Sequence, residues 1–192
     1  MIKVIEKEDR KLKFNITCDM GFANALRRVL MNEVPVLSIE TVSFEKNTSG
    51  MFDEILAHRL GLVPLKFDRK LMTKKGSLSQ VTFSLEKTGP CNVTAGDLIS
   101  KSGEEAVDKE TPLVSLEENQ ELKFDAVAEL GVGKEHSKWQ SSVVGYKQEK
   151  DGYTFEVESV CGLTAKELVE SALDVIEEKA TEFEAAFKKA MK

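Results

Sequence analysis

Apolar positions alternate at Ile2 and Val4, and again at Leu12, Phe14 and Ile16, with polar Lys7 to Lys11 between them. That spacing predicts two strands joined by a turn. From Met20 the period changes. Phe22, Leu26, Val29 and Leu30 recur at helical spacing, Asp19 stands where a cap belongs, and Pro35 ends the run. Residues 36–45 return to alternation, with Leu37 and Ile39, then Val42 and Phe44. The change of phase near Thr41 predicts a bulge. A short helix is expected over about Glu54 to Leu60, capped by Asp53, with Gly61 at its C′ position and Pro64 beyond.

The second half of the chain is read in the same way. Val81 to Leu85 predicts a strand, Thr88 to Pro90 a turn, and the alternation from Leu122 to Leu130 another strand. Residues 66–80 and 131–140 read as loops. SVVGYK and YTFEVES, joined at Lys150 to Gly152, predict a hairpin. The clearest element comes last. Thr164 and Glu167 make a capping box. Leu168, Ala172, Val175, Ile176, Lys179, Phe183, Ala186, Phe187 and Ala190 then mark one helical face, with glutamates and lysines on the other. So long an apolar stripe must be covered by something. In a chain of this size, part of that cover can be another subunit. Residues 46–150 are richer in loops than either end, which points to an insertion between two halves of one domain.

Length and composition narrow the function. At 192 residues, 41% hydrophobic and 31% charged, the chain has the balance of a globular protein with a real core. No apolar run approaches the roughly 20 residues that span a bilayer. The charged first segment, MIKVIEKEDRKLKF, has no apolar stretch of a secretory signal. The expectation is a cytoplasmic protein without membrane contact. A net charge of −6 argues against autonomous binding of nucleic acid, which normally needs a basic footprint. Cys18, Cys91 and Cys161 are widely spaced, with no CxxC, so neither a disulfide framework nor a metal site is expected, and small buried hydrophobes are the simpler reading.

Catalytic constellations are weak. Gly131-Val132-Gly133-Lys134 resembles a phosphate loop only superficially, because the spacing is wrong and Glu135 follows the lysine. His58 and His136 could serve a free-standing hydrolase, but neither lies in a metal-ligand or carboxylate–histidine motif. An independent DNA-binding module is the other alternative. Three segments instead combine large apolar groups with arginine or histidine: Leu26-Arg27-Arg28, His58-Arg59-Leu60 and His136 to Trp139. Arginine and tryptophan are enriched at the energetic centres of interfaces. The single tryptophan falls in a loop, where a core role is less expected.

Five ordered segments carry a resemblance: FANALRRVLMNEVPVLSIETVSFEKNTS, DEILAHRLGLVPL, GPCNVTAGDL, GVGKEHSKWQ and FEVESVCGLTAKELVESALDVIEEK. Together they resemble the D subunit family of archaeal RNA polymerases. That family is similar to the third-largest subunit of eukaryotic polymerase II and to the amino-terminal domain of the bacterial alpha subunit. The resemblance implies an α+β fold, an alpha-like dimerisation domain interrupted by an inserted, mostly β domain. It sets the expected limits at 1–45 plus 152–192 for the former and 46–151 for the latter. It implies a non-catalytic assembly subunit that pairs with subunit L, receives subunits N and P, docks the second-largest catalytic subunit, and meets DNA only through the whole complex. The partner-binding residues it implies are Phe22, Leu26, Arg27, Arg28 and Leu30 in the first helix, and His58, Arg59 and Leu60 in the AHRLGL segment. Lys134, His136 and Trp139 follow in the GKEHSKW segment, and Leu168, Ala172, Val175, Ile176, Phe183 and Phe187 in the last helix. Many relatives carry clustered cysteines for zinc or an added iron–sulfur region. Residues 66–80 hold no cysteine here, so no zinc or cluster is expected in this chain, and the magnesium belongs to the catalytic subunits.

Overall fold

The computed structural model describes residues 1–69 and 80–191. In chain order the elements are β1 (Ile2–Lys7), β2 (Lys11–Ile16), α1 (Met20–Asn32), β3 (Val36–Asn47) and α2 (Asp53–Gly61). There follow β4 (Val81–Thr88), β5 (Cys91–Thr94), β6 (Ile99–Ser100), β7 (Pro112–Leu116) and β8 (Glu121–Gly131). The chain ends on β9 (Ser142–Glu149), β10 (Gly152–Ser159) and α3 (Ala165–Ala190). The mixture of helices and antiparallel sheets is the expected α+β class. The expected loop at 66–80 lies partly outside the described residues.

The chain divides into two compact units, one of residues 1–34 and 132–192, the other of residues 35–131. Of the limits expected from the sequence, 45/46 falls inside β3, and 151/152 falls at the turn of the β9–β10 hairpin, between two paired strands. β3 is hydrogen-bonded to β8 along nearly its whole length, from Val36–Gly131 to Asn47–Leu122, so residues 36–45 go with the inserted unit. β9 pairs with β10 from Ser142–Ser159 to Gly152–Glu149, which returns residues 142–149 to the outer unit. Sheet pairing, which periodicity alone cannot reveal, sets the boundary.

In the outer unit, the sheet runs β1-β2-β10-β9, antiparallel throughout. Phe14 and Phe155 are register partners on one face, with ring centroids 5.3 Å apart, and both are buried. α1 packs against β9 and α3, while α3 packs on β10 and β2. Asp19 caps α1 as expected, accepting from the Phe22 amide at 2.9 Å. At the other end, the last carbonyls of α1 would be left without intrahelical partners. Ser141 and Ser142 both donate to the Leu30 carbonyl, at 2.5 and 2.6 Å, and the Lys134 amide donates to the Asn32 carbonyl at 2.9 Å. The turn between β9 and β10 ends at Gly152, whose φ of +140° suits glycine.

The inserted unit holds a sheet of order β3-β8-β4-β6 and a smaller pair, β5-β7. Its core gathers Leu37, Ile39, Leu56, Leu60, Leu65, Phe83, Leu113 and Phe124. The expected bulge in β3 is present, as a register shift between Ile39 and Thr41. α2 differs at both ends from the sequence reading. Phe52, not Asp53, occupies the N-cap and makes no side-chain cap bond. Asp53 lies in the first turn, where its carboxylate accepts from Asn47 Nδ2 at 2.6 Å and favours the positive end of the helix dipole. Gly61 is the last helical residue, and Leu62, in right-handed conformation, closes the helix.

Candidate functional site

Four segments carry the residues singled out in the sequence. On α1, Leu26 and Leu30 are buried in the core of the outer unit and Phe22 is half-buried. Arg27 and Arg28 differ in kind. Arg27 is partly buried and its Nε donates to the Val144 carbonyl at 3.1 Å, which ties α1 to β9. Arg28 is exposed. Beside them, the Tyr146 hydroxyl donates to Asn24 Oδ1 at 2.7 Å.

On α2, Leu60 is fully buried and His58 is exposed. The Arg59 guanidinium reaches the Leu113 carbonyl on β7 at 2.5 Å, so it clamps the helix to its own unit. Sequence reasoning missed the apolar groups around this helix. Phe52 is 71% exposed, and Ile55 and Leu62 are also well exposed. Ile55 falls at helical spacing with buried Leu56 and Leu60, so periodicity alone places it inside. Only the packing of α2 on β3 shows which flank of the helix remains open.

The GKEHSKW segment folds as a loop with a short 3-10 turn at Ser137–Trp139. His136 Nδ1 accepts from the Lys138 amide at 3.1 Å. Trp139 is only 9% exposed, with the Lys138 ammonium 4.5 Å from its ring centre and the His136 ring edge-on. The tryptophan is therefore a core residue of the outer unit, against the expectation for a loop. A lone aromatic gives no periodicity, so no signal in the sequence could have separated the two roles. Lys134 and His136 are exposed.

α3 is half inside and half outside its own fold. The capping box forms as expected, with the Glu167 amide donating to Thr164 Oγ1 and Glu167 Oε2 accepting from the Thr164 amide. Ala165, Leu168, Ser171 and Ala172 are buried. Val175 and Ile176 are half-covered, and every described residue from Glu177 onward is exposed. Phe183 and Phe187, 72% and 56% exposed, stack on each other with centroids 6.2 Å apart. Lys179 pairs with Glu33 at the end of α1.

His58 and His136 belong to different units. Among the described residues, no cluster of three or more histidine, cysteine, aspartate or glutamate side chains is placed to hold a metal ion. The cysteines are unpaired; Cys161 is buried, and its burial pushes the thiol pKa up. Cys18 and Cys91 are only half-buried, so the expectation of small buried hydrophobes holds for Cys161 alone. No helix among the described residues is long and apolar enough to cross a membrane.

Residues 38–148 match the family model described as the RNA polymerase Rpb3/RpoA insert domain. The chain is 39% identical over 188 residues to the DNA-directed RNA polymerase subunit Rpo3 of Methanocaldococcus jannaschii, covering 95% of each protein. It is 43% identical over 150 residues to Rpo3 of Thermococcus kodakarensis, covering 76% of this chain and 58% of that one. With Rpo3 of Methanothermobacter thermautotrophicus it shares 41% over 160 residues, 76% of this chain and 61% of the relative. The chain therefore belongs to the alpha-like Rpo3 family of archaeal DNA-directed RNA polymerase subunits, the family its five sequence segments resemble.

Proposed function

We propose that the chain is a non-catalytic assembly subunit of RNA polymerase, whose outer unit forms a heterodimer with the smaller subunit L. One observation carries this reading: the second half of α3 presents Phe183 and Phe187 to solvent although the first half is buried in its own fold. Two large aromatic side chains left open on a regular helix are costly unless something covers them. The same stripe continues through Val175 and Ile176 toward the buried turns. The partner contacts then fall to Val175, Ile176, Phe183 and Phe187 on α3, and to Phe22 and Arg28 on α1. Leu26, Leu30, Leu168 and Ala172 support them from beneath.

The inserted unit supplies a second surface in this reading. Exposed His58, beside Phe52, Ile55 and Leu62, forms an apolar patch with a polar edge on α2, suited to docking the second-largest catalytic subunit. Lys134 and His136 offer a further contact for a neighbouring subunit. Subunits N and P complete the assembly, and DNA and the catalytic magnesium are met by the other chains.

Co-expression with subunit L tests the proposal. The two chains are expected to co-purify as a one-to-one complex, and the Phe183→Ala/Phe187→Ala variant to be lost from it. A chain that stays monomeric and well folded with subunit L present would overturn the proposal.

A further inference from the structure

The charges beside the open stripe of α3 state what kind of helix fits it. Phe183 lies midway between Ile176 and Ala190. Glu182 and Glu184 are one residue to either side, about 100° around the helix from Phe183. Those are the positions that border the seam between two packed helices. Glu177 lies on the same side as Glu184, nearly two turns earlier by the same geometry. The lysine within this stretch, Lys179, is engaged by Glu33 of α1. Lys188 and Lys189 come only in the last turn, and Lys188 pairs with Glu184 of its own helix. Both borders of the stripe are therefore acidic from 177 to 184, and basic charge is confined to the end.

We infer that this stripe takes a helix of a different chain whose apolar face is bordered by lysine or arginine, and that the same glutamates disfavour a second copy of this chain. The inference rests on the heterodimer reading above and names the chemistry of its partner. An antiparallel pair of two copies centred on Phe183 would bury the whole stripe. Two-fold symmetry would then set Glu182 against its own copy and Glu184 against its own copy. A parallel, in-register pair sets Glu182 of each copy beside Glu184 of the other, again like charge against like charge. Like charges at these positions oppose pairing, while opposite charges select the partner. Opposite Lys188 and Lys189, the partner helix carries acidic groups.

The experiment uses the full chain and two synthetic helical peptides that share one leucine stripe, one bordered by lysines and the other by glutamates. By fluorescence anisotropy at low salt, the lysine peptide is expected to bind about tenfold or more tightly, from three favourable pairs. The preference reverses in Glu182→Lys/Glu184→Lys. Sedimentation should show stronger self-association for Glu182→Gln/Glu184→Gln than for the parent. Equal affinity for the two peptides, with subunit L still bound by the parent, overturns this inference and leaves the heterodimer standing. If Phe183→Ala/Phe187→Ala, shown folded by circular dichroism, binds the lysine peptide as the parent does, the stripe is not the site and both readings fall.

Discussion

Arg59 Nη1 donates to the backbone carbonyl of Leu113 at 2.5 Å, across 54 positions of the chain. The bond joins α2 to β7 inside the inserted unit, so this arginine acts on its own fold before it acts on any partner. Its neighbour His58 has no such role and stays open.

Replacing Arg59 with alanine should lower the stability of the isolated chain by about 1–2 kcal/mol, the worth of a partly exposed charged hydrogen bond. Lysine should recover part of that loss. His58→Ala should leave stability within about 0.5 kcal/mol of the parent. Chemical denaturation of the three variants checks the contrast. Equal effects of the two alanine substitutions would show that the clamp is not formed.

Phe183→Ala/Phe187→Ala should leave the unfolding midpoint of the isolated chain nearly unchanged, because these rings touch solvent and each other. Leu168→Ala, in the buried turns of the same helix, should cost about 2–5 kcal/mol. Thermal unfolding of the lone chain separates the two halves of α3 by this difference.

Gly152 is held by its surroundings as well as by its φ. A Cβ at this position would stand 2.2 Å from the Ile16 carbonyl oxygen. Gly152→Ala must therefore displace β2 from β10 or distort the turn, at a cost of roughly 1–3 kcal/mol or more. Hydrogen exchange of the β2–β10 amides should accelerate in the variant, while the β3–β8 amides in the other unit keep their protection.

Glu105 answers to pH. Its hydrogen bonds to Lys109 and Lys66 hold the carboxyl at about 2, below the ordinary 4.5. A depressed folded-state pKa contributes stability that is present above the ordinary value and is lost as pH falls through about 2. The group is exposed, so the effect is read best as a titration. Lys109→Met should move the Glu105 midpoint upward in a carboxyl chemical-shift titration. An unchanged midpoint would show that the pair does not form in solution.

Much of this fold was legible because its elements announce themselves locally. Asp19 before α1, the Thr164–Glu167 box before α3 and the change of phase at Thr41 each place a boundary or a bulge using neighbours in sequence. What could not be read depended on partners far along the chain. The length of β3 is set by β8, which begins 74 positions after Asn47 at Glu121, and no pattern in 36–47 carries that information. The open half of α3 was hidden for the opposite reason. Leu168 and Phe183 obey one periodicity, and periodicity reports which side of a helix is apolar, not where its own cover ends. Trp139 and Ile55 mark the same limit for single residues.

The division of α3 also bears on how fast and how tightly a second helix can join it. Starting a helix is the unfavourable step, because several residues must be fixed before the first hydrogen bond repays them. Here the start is secured by the capping box and by four buried residues of the first turns. The remaining turns grow from a nucleus that already exists, so an incoming helix meets a surface largely ordered in advance. Less conformational entropy is then lost at association. A chain shortened to the same stripe without Thr164 to Ala172 would keep every contact residue from Val175 onward and still bind more weakly.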